Sequence, residues 1–366
     1  MSILLFLIIL VVLIVSHEFG HFIVAKLAKI RVDEFAFGFP PRLWSVKMGE
    51  TEYAINALPF GGYVKIFGEN PDEESLRGPE HARSLVTQPK WIQAAVISAG
   101  VVFNILLAWL LLSLGFMIGF PTALGGSDFE KYAKDTALTI TSVIQKAPAD
   151  IAGLKPGDKI ISVSSGKEIL AEINPETVKS FIENHGEKPI GISYARNESR
   201  LETLITPSTG VIENKAAIGI SMDMIGIVRL PVHKALWEGA NNTYFLLDET
   251  ARGLYGMIRN AVMGQGSLAG VTGPVGIVKM VGDASSLGFI YLIGFTALIS
   301  INLAIVNLIP IPALDGGRLL FIIIEAVKGS PIKPKVANVV NAAGFALLMI
   351  LMVVVTYNDV VRLFIK

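Results

Sequence analysis

Residues 2–25 read SILLFLIILVVLIVSHEFGHFIVA, an apolar run broken by His17, Glu18 and His21. A helix needs about 20 apolar residues to cross a bilayer, and this run is long enough. Ionisable side chains inside such a span cost roughly 2.5 kcal/mol or more each when charged, unless something compensates them. Here the spacing points to the compensation. His17 and His21 stand four residues apart and share a helix face, so both imidazoles can bind one metal ion. Glu18 is adjacent and can act as general base towards water at that metal. A polar patch packed against another span is the plainer alternative, and the metal reading is favoured over it. The run has no basic leading segment and no small-x-small cleavage site, so it is expected to stay as a span.

Composition agrees with a membrane setting. Of 366 residues, 52% are hydrophobic and 17% charged, against about 25% charged in soluble domains. The formal net charge is zero, which gives no basis for nucleic-acid binding. Without cysteine there are no disulfides and no thiolate ligands. Three further stretches are long and apolar enough to span: Ala94 to Phe120, Phe289 to Ile309 and Val336 to Asn358. Basic residues flank them unevenly. Lys26, Lys29, Arg31, Arg83 and Lys90 bound one loop and Lys328, Lys333 and Lys335 another, which puts both loops in the cytoplasm and the large segment between the second and third spans outside.

The soluble parts differ in pattern. Leu138 to Ile144, Lys159 to Val163 and Arg200 to Thr206 alternate as strands. Asn174 and Pro175 open a helix whose Val178, Phe181 and Ile182 share one face. His233 to Val262 reads as an amphipathic helix, followed by the glycine-rich stretch Gly264 to Gly276. In the first loop, Glu52 to Gly68 suits strands joined by a turn at Pro59-Phe60-Gly61-Gly62, apolar enough to dip towards the bilayer. Backbone at that depth must line a cavity or be buried in protein.

Two histidines leave a catalytic zinc one protein ligand short. Glu34 is one candidate, in a polar loop. Asp315 is better placed: it follows the third span in residues 307–317, NLIPIPALDGG, where two prolines break the helix and the glycines allow a close turn. An Asp N-cap of the returning helix is the plainer reading of that residue. Inverted halves expected of a transporter are not seen, and a scaffold gives no reason for Glu18.

The string from Lys146 to Ile160, KAPADIAGLKPGDKI, resembles the core motif of PDZ domains and occurs once. With HEFGH at 17–21, PFGGYVK at 59–65, Gly68-Glu69, GPVGI at 273–277 and the run 307–317, the sequence resembles the site-2 protease family of intramembrane zinc metalloproteases, of the bacterial sigma-E regulator type. Gly100-Val101-Val102-Phe103-Asn104 keeps that family's Gly and Asn but has Val101 where relatives often carry Pro.

The resemblance implies a polytopic α-helical membrane protein with four transmembrane helices, a membrane-dipping β-hairpin-like loop and an inserted β-rich PDZ domain. The segments are 1–30 with the HExxH, 31–92 with the hairpin, 93–120, the PDZ-like 125–210, 211–288 with the amphipathic helix, 289–327 with the LDG motif, and 336–360. It implies one Zn2+ per chain on His17, His21 and Asp315, with Glu18 as base. Asn307, Pro310 and Pro312 would shape the substrate site. Gly61, Gly62, Tyr63, Val64 and Ile66 would lie in a loop that pairs with substrate as an added strand. The implied activity is an endopeptidase of the bacterial inner membrane, in contact with lipid. Its substrates would be single-span proteins of the anti-sigma-factor kind or remnant signal peptides.

Overall fold

The computed structural model describes residues 1–364 apart from 71, 126–127, 197–198, 213–214 and 265–270. In chain order the elements are α1 (Ser2–Leu27), β1 (Val32–Met48), β2 (Thr51–Ile66), α2 (Glu73–Arg77), α3 (Lys90–Ile118), β3 (Phe120–Ala123), β4 (Ala133–Val143), α4 (Pro148–Ile151), β5 (Lys159–Ser165), β6 (Glu168–Ile169), α5 (Pro175–Asn184), β7 (Ile190–Arg196), β8 (Ser199–Ile205), β9 (Ser208–Ile212), β10 (Lys215–Ala217), β11 (Ile220–Val228), α6 (Val232–Val262), α7 (Pro274–Leu287), α8 (Phe289–Leu308), α9 (Asp315–Lys328) and α10 (Pro334–Phe364). They form two compact units: Met1–Ser113 with Leu236–Lys366, and Leu114–Ala235.

Among the described residues, four helices are long and apolar enough to cross a membrane: Ser2–Leu27, Lys90–Ile118, Phe289–Leu308 and Pro334–Val361. All four were legible as apolar runs. Large side chains such as Ile3, Leu4, Phe345 and Ile350 lie exposed along them, on a scale that soluble proteins avoid. Val101 does not interrupt α3, which runs unbroken through it.

The first loop departs from its sequence reading. Val32–Met48 is a long strand that the alternation did not reveal, and the tight reversal between β1 and β2 falls at Gly49 and Glu50. The arms on either side of Pro59-Phe60-Gly61-Gly62 do not pair with each other. Phe35 has Val64 on one side and Tyr53 on the other, and Ala36 has Tyr63 and Ala54. Residues 32–37 therefore separate 62–66 from 52–55, and 42–48 lies outside 51–56. The separation costs no backbone hydrogen bonds, because the inserted strand satisfies both arms. It also leaves 62–66 at an edge of the sheet. Val64 and Ile66 are anchored with Ala25, Ile30, Val32, Val96 and Ile97 in one buried cluster, each larger aliphatic contributing about 1.5–3 kcal/mol relative to water.

In the Leu114–Ala235 unit, the sheet runs β3-β11-β4-β5-β7-β8, with β6 on β5. Its core holds Leu138, Ile140, Leu154, Val163, Val178, Ile190 and Ile192. Asn174 caps α5 through a reciprocal bond pair with Thr177, as its sequence predicts. β11 belongs to this sheet although it lies beyond the 125–210 segment drawn from sequence; its alternation is diluted by Met222 and Met224. Asp158 is 1% exposed and accepts from Arg196 Nε and Nη2 at 2.7 and 2.6 Å. That carboxylate raises the Arg196 pKa above its ordinary value.

In the other unit, α6 packs on α3 where Gly239 meets Ser113, and it leaves Trp237, Tyr244 and Tyr255 exposed. Part of the glycine-rich stretch, 265–270, lies outside the described residues. The GPVGI segment opens α7, where the Gly276 N–H donates to Asp359 Oδ2 at 2.8 Å.

Candidate metal centre

The centre begins with the close approach of α1 and α3. A Cβ at Gly20 would stand 2.5 Å from the Ala99 carbonyl oxygen, and one at Gly100 would run into the rings of His17 and His21. Two glycines therefore let the helices touch and leave room for the imidazoles. Asp315 arrives from the distant α9, as the first residue of a helix whose N-cap is Leu314. The α8–α9 break is a compact turn, closed by Ile311 N–H to Ile309 O at 2.7 Å and Leu314 N–H to Ile311 O at 3.2 Å. Gly316 and Gly317 are pressed against the carbonyls of residues 308, 309 and 311, where any side chain would collide.

His17 Nε2 lies 3.3 Å from His21 Nε2 and 3.2 Å from Asp315 Oδ2, and His21 Nε2 is 3.5 Å from the same oxygen. Tetrahedral zinc with bonds of about 2.0–2.1 Å sets its ligand atoms about 3.3 Å apart, so the spacing fits. Asp315 Oδ2 is buried with no hydrogen-bond donor, as an oxygen facing a cation would be. Among the described residues, these three form the group whose donor atoms could hold a metal ion. Glu34, the alternative ligand, is engaged elsewhere, accepting from Arg42 Nη2 at 2.5 Å and from the Tyr63 hydroxyl at 3.0 Å.

Both rings are oriented from behind. His21 Nδ1 lies 2.8 Å from the Val96 carbonyl oxygen, so Nδ1–H donates there and Nε2 keeps its lone pair for a metal. His17 Nδ1 lies 3.2 Å from the amide nitrogen of Asn104, while Asn104 Oδ1 is buried without a partner. Turning the amide over puts Oδ1 against Nδ1. The orphaned oxygen then accepts the ring proton, and His17 Nε2 is likewise free to ligate.

Glu18 lines a cavity of about 700 Å3 with His17, His21, Asp315, Gly62, Tyr63, Val64 and Ile66. A Cβ at Gly62 would stand 3.3 Å from Glu18 Cγ, so the edge strand passes directly over this carboxyl. Asn307, Pro310, Pro312 and Gly61 do not line the cavity. The compact turn brings only Ala313 and Asp315 of residues 307–315 to it, and Gly61 packs against the Phe39 ring instead. Sequence reasoning missed the contribution of α10, which supplies Asn338, Asn341, Ala342 and Phe345. Asn341 Oδ1 accepts the Ala313 N–H at 3.3 Å, and Gly344 sits against Pro312. Two amides three residues apart in an apolar span were the available signal, since polar groups in spans mark functional surfaces.

The chain matches the sequence profile of peptidase family M50 over residues 5–351. It belongs to that family. A zinc metalloprotease RasP from Geobacillus kaustophilus is 31% identical, with 99% of this chain and 98% of the relative covered. The Regulator of sigma-W protease RasP of Bacillus subtilis is 30% identical, with 98% of each covered. A zinc metalloprotease RasP of Shouchella clausii is 31% identical, with 99% of each covered. This M50 peptidase is a zinc metalloprotease of the site-2 protease family and an integral membrane protein. In it, Asn104→Leu is expected to weaken zinc binding about 10–100-fold, the usual effect of losing an outer-shell partner. Asn104→Asp, which still accepts from Nδ1, should hold zinc like the parent. Chelator competition measures both, and equal affinity in the Leu variant would remove Asn104 from the support of His17.

Proposed function

We propose that this peptidase cuts single-span membrane proteins within their transmembrane segment, using zinc held by His17, His21 and Asp315, with Glu18 as general base. The observation that carries this reading is one cavity lined by Glu18, three side chains whose donor atoms converge as metal ligands would, and an edge strand, in a chain with helices long and apolar enough to span a bilayer.

A membrane-spanning substrate hides its carbonyls in helical hydrogen bonds, and unwinding it in lipid leaves groups that cost several kcal/mol each if unpaired. The outer edge of residues 62–66 can receive such a segment as an added strand, satisfying it and holding it extended over Glu18. His17, His21 and Asp315 would hold the zinc, which would supply a Lewis acid able to acidify water and polarise a carbonyl at this site. Glu18 takes the proton from the attacking water and delivers it to the leaving amine nitrogen. The Val96 carbonyl and Asn104 hold the two imidazoles in the tautomer this work requires.

The name of the Bacillus relative ties that protein to sigma-W, which supports a membrane-anchored anti-sigma factor as substrate here; remnant signal peptides share the same single-span chemistry. Basic flanks support residues 26–91 and 328–335 as cytoplasmic, in a bacterial inner membrane. The motif at 146–160 falls on α4, β5 and left-handed turns at Gly153 and Gly157, which supports a PDZ-like fold for the β-rich unit.

The test is to reconstitute the full chain in liposomes with a single-span reporter and to locate the new termini by mass spectrometry. Cuts inside the reporter's apolar segment are expected, and cuts confined to its flanks would overturn the intramembrane reading. On the same assay, Val64→Pro should reduce cleavage at least tenfold with zinc retained, because proline removes a backbone donor from the strand.

A further inference from the structure

Glu69 and Arg318 form an ion pair between two segments that the proposed mechanism uses for different purposes. Glu69 follows the edge strand closely. Its N–H donates to Ile66 O at 3.1 Å, and the chain turns at Gly68 with φ +76, where a Cβ would run into Ser84. Arg318 sits three residues after Asp315, on the same face of α9. Both side chains line the cavity that holds Glu18 and the metal ligands, and Arg318 is the one Lys or Arg among the described residues lining it. Their side chains are 21% and 32% exposed, so the pair is partly shielded from water and screened less than a surface bridge.

The two anchors are firm on their own sides. Phe67 N–H donates to Arg31 O at 2.9 Å and Leu85 N–H to Phe67 O at 2.8 Å, which fixes the chain leading into Glu69. Arg318 N–H donates to Leu314 O at 3.2 Å in the first turn of α9, the turn that begins with Asp315. A bridge between two such anchors fixes a distance. That distance separates the strand that would receive the substrate backbone from the helix that carries the third metal ligand.

We propose that Glu69 and Arg318 are positioning residues, a strut that sets the edge strand Gly62–Ile66 in register with the Asp315 helix and thereby selects which substrate bond lies over Glu18. This rests on the strand-addition reading above. Neither side chain is among the donor atoms that could hold the metal, so loss of the strut should misplace the substrate while the metal stays. Misplacement by about 1 Å costs on the order of 100-fold in rate.

A double-mutant cycle on the reconstituted full chain tests this. Glu69→Ala, Arg318→Ala and the double variant are compared for zinc content, for kcat and KM on a single-span reporter, and for the position of the cut. Each single variant is expected to keep its zinc and lose about 10–100-fold in kcat/KM, with cuts spread over neighbouring bonds. The double variant should be no worse than the weaker single one, because the partners act as one unit. Glu69→Gln, which keeps a hydrogen bond to Arg318, should recover part of the loss and sharpen the cut again. Multiplying losses in the double variant, singles that cut like the parent at one bond, or loss of zinc in Glu69→Ala would each overturn the strut. A parent enzyme that cuts only outside the reporter's apolar segment would defeat the intramembrane reading instead, so the two failures are distinguishable.

Discussion

Glu18→Gln is expected to reduce cleavage about 10²–10⁴-fold, the usual contribution of a positioned general base, with zinc content unchanged. The amide matches the carboxylate in shape but cannot take a proton from water. Nor is Glu18 one of the converging donor atoms, which come from His17, His21 and Asp315. The substitution removes a charge from a span, so it should not weaken the fold. Zinc content, thermal unfolding and single-turnover cleavage of a single-span reporter make the comparison. A Gln variant that turns over near the parent rate would remove Glu18 from the mechanism, and one that loses zinc would make it a ligand.

Asp315→Ala is expected to abolish cleavage in a different way, by releasing the metal. Its Oδ2 closes the group of donor atoms at 3.2 Å from His17 Nε2 and 3.5 Å from His21 Nε2. Without it, two imidazoles on one helix remain, short of the three protein ligands usual for catalytic zinc. Affinity should fall by more than the ~10–100-fold of a lost outer-shell partner, so the purified variant should carry little zinc at nanomolar free metal. Asp315→Glu lengthens the arm from a turn with no slack, because Gly316 and Gly317 already touch the preceding carbonyls; it should bind zinc less well than the parent. Normal occupancy and cleavage in Asp315→Ala would move the third ligand elsewhere. Glu34 would then be re-examined despite its bonds to Arg42 and Tyr63.

The sequence by itself determined the four apolar spans, because bilayer thickness dictates their length and any charge within them shows at once. It also determined the pairing of His17 with His21, since helical spacing alone puts them on one face. The capping of α5 by Asn174 and the helix break before Asp315 were equally local, set by single residues and by Pro310 and Pro312. Only the tertiary structure decided what is non-local. His21 and Asp315 stand 294 positions apart in the chain and are brought together by packing, which neither segment encodes by itself. The strand Val32–Met48 escaped notice because its partners lie on both sides, so its alternation does not follow a single buried face. The family resemblance implied that 62–66 pairs with substrate, but the residues themselves did not mark it as an edge, because an edge is defined by the neighbour it lacks. The services of Asn104, Arg318 and Asn341 likewise depend on which helix each one meets. A single polar residue in an apolar run announces that it has a partner, but the partner is chosen by the packing of other helices.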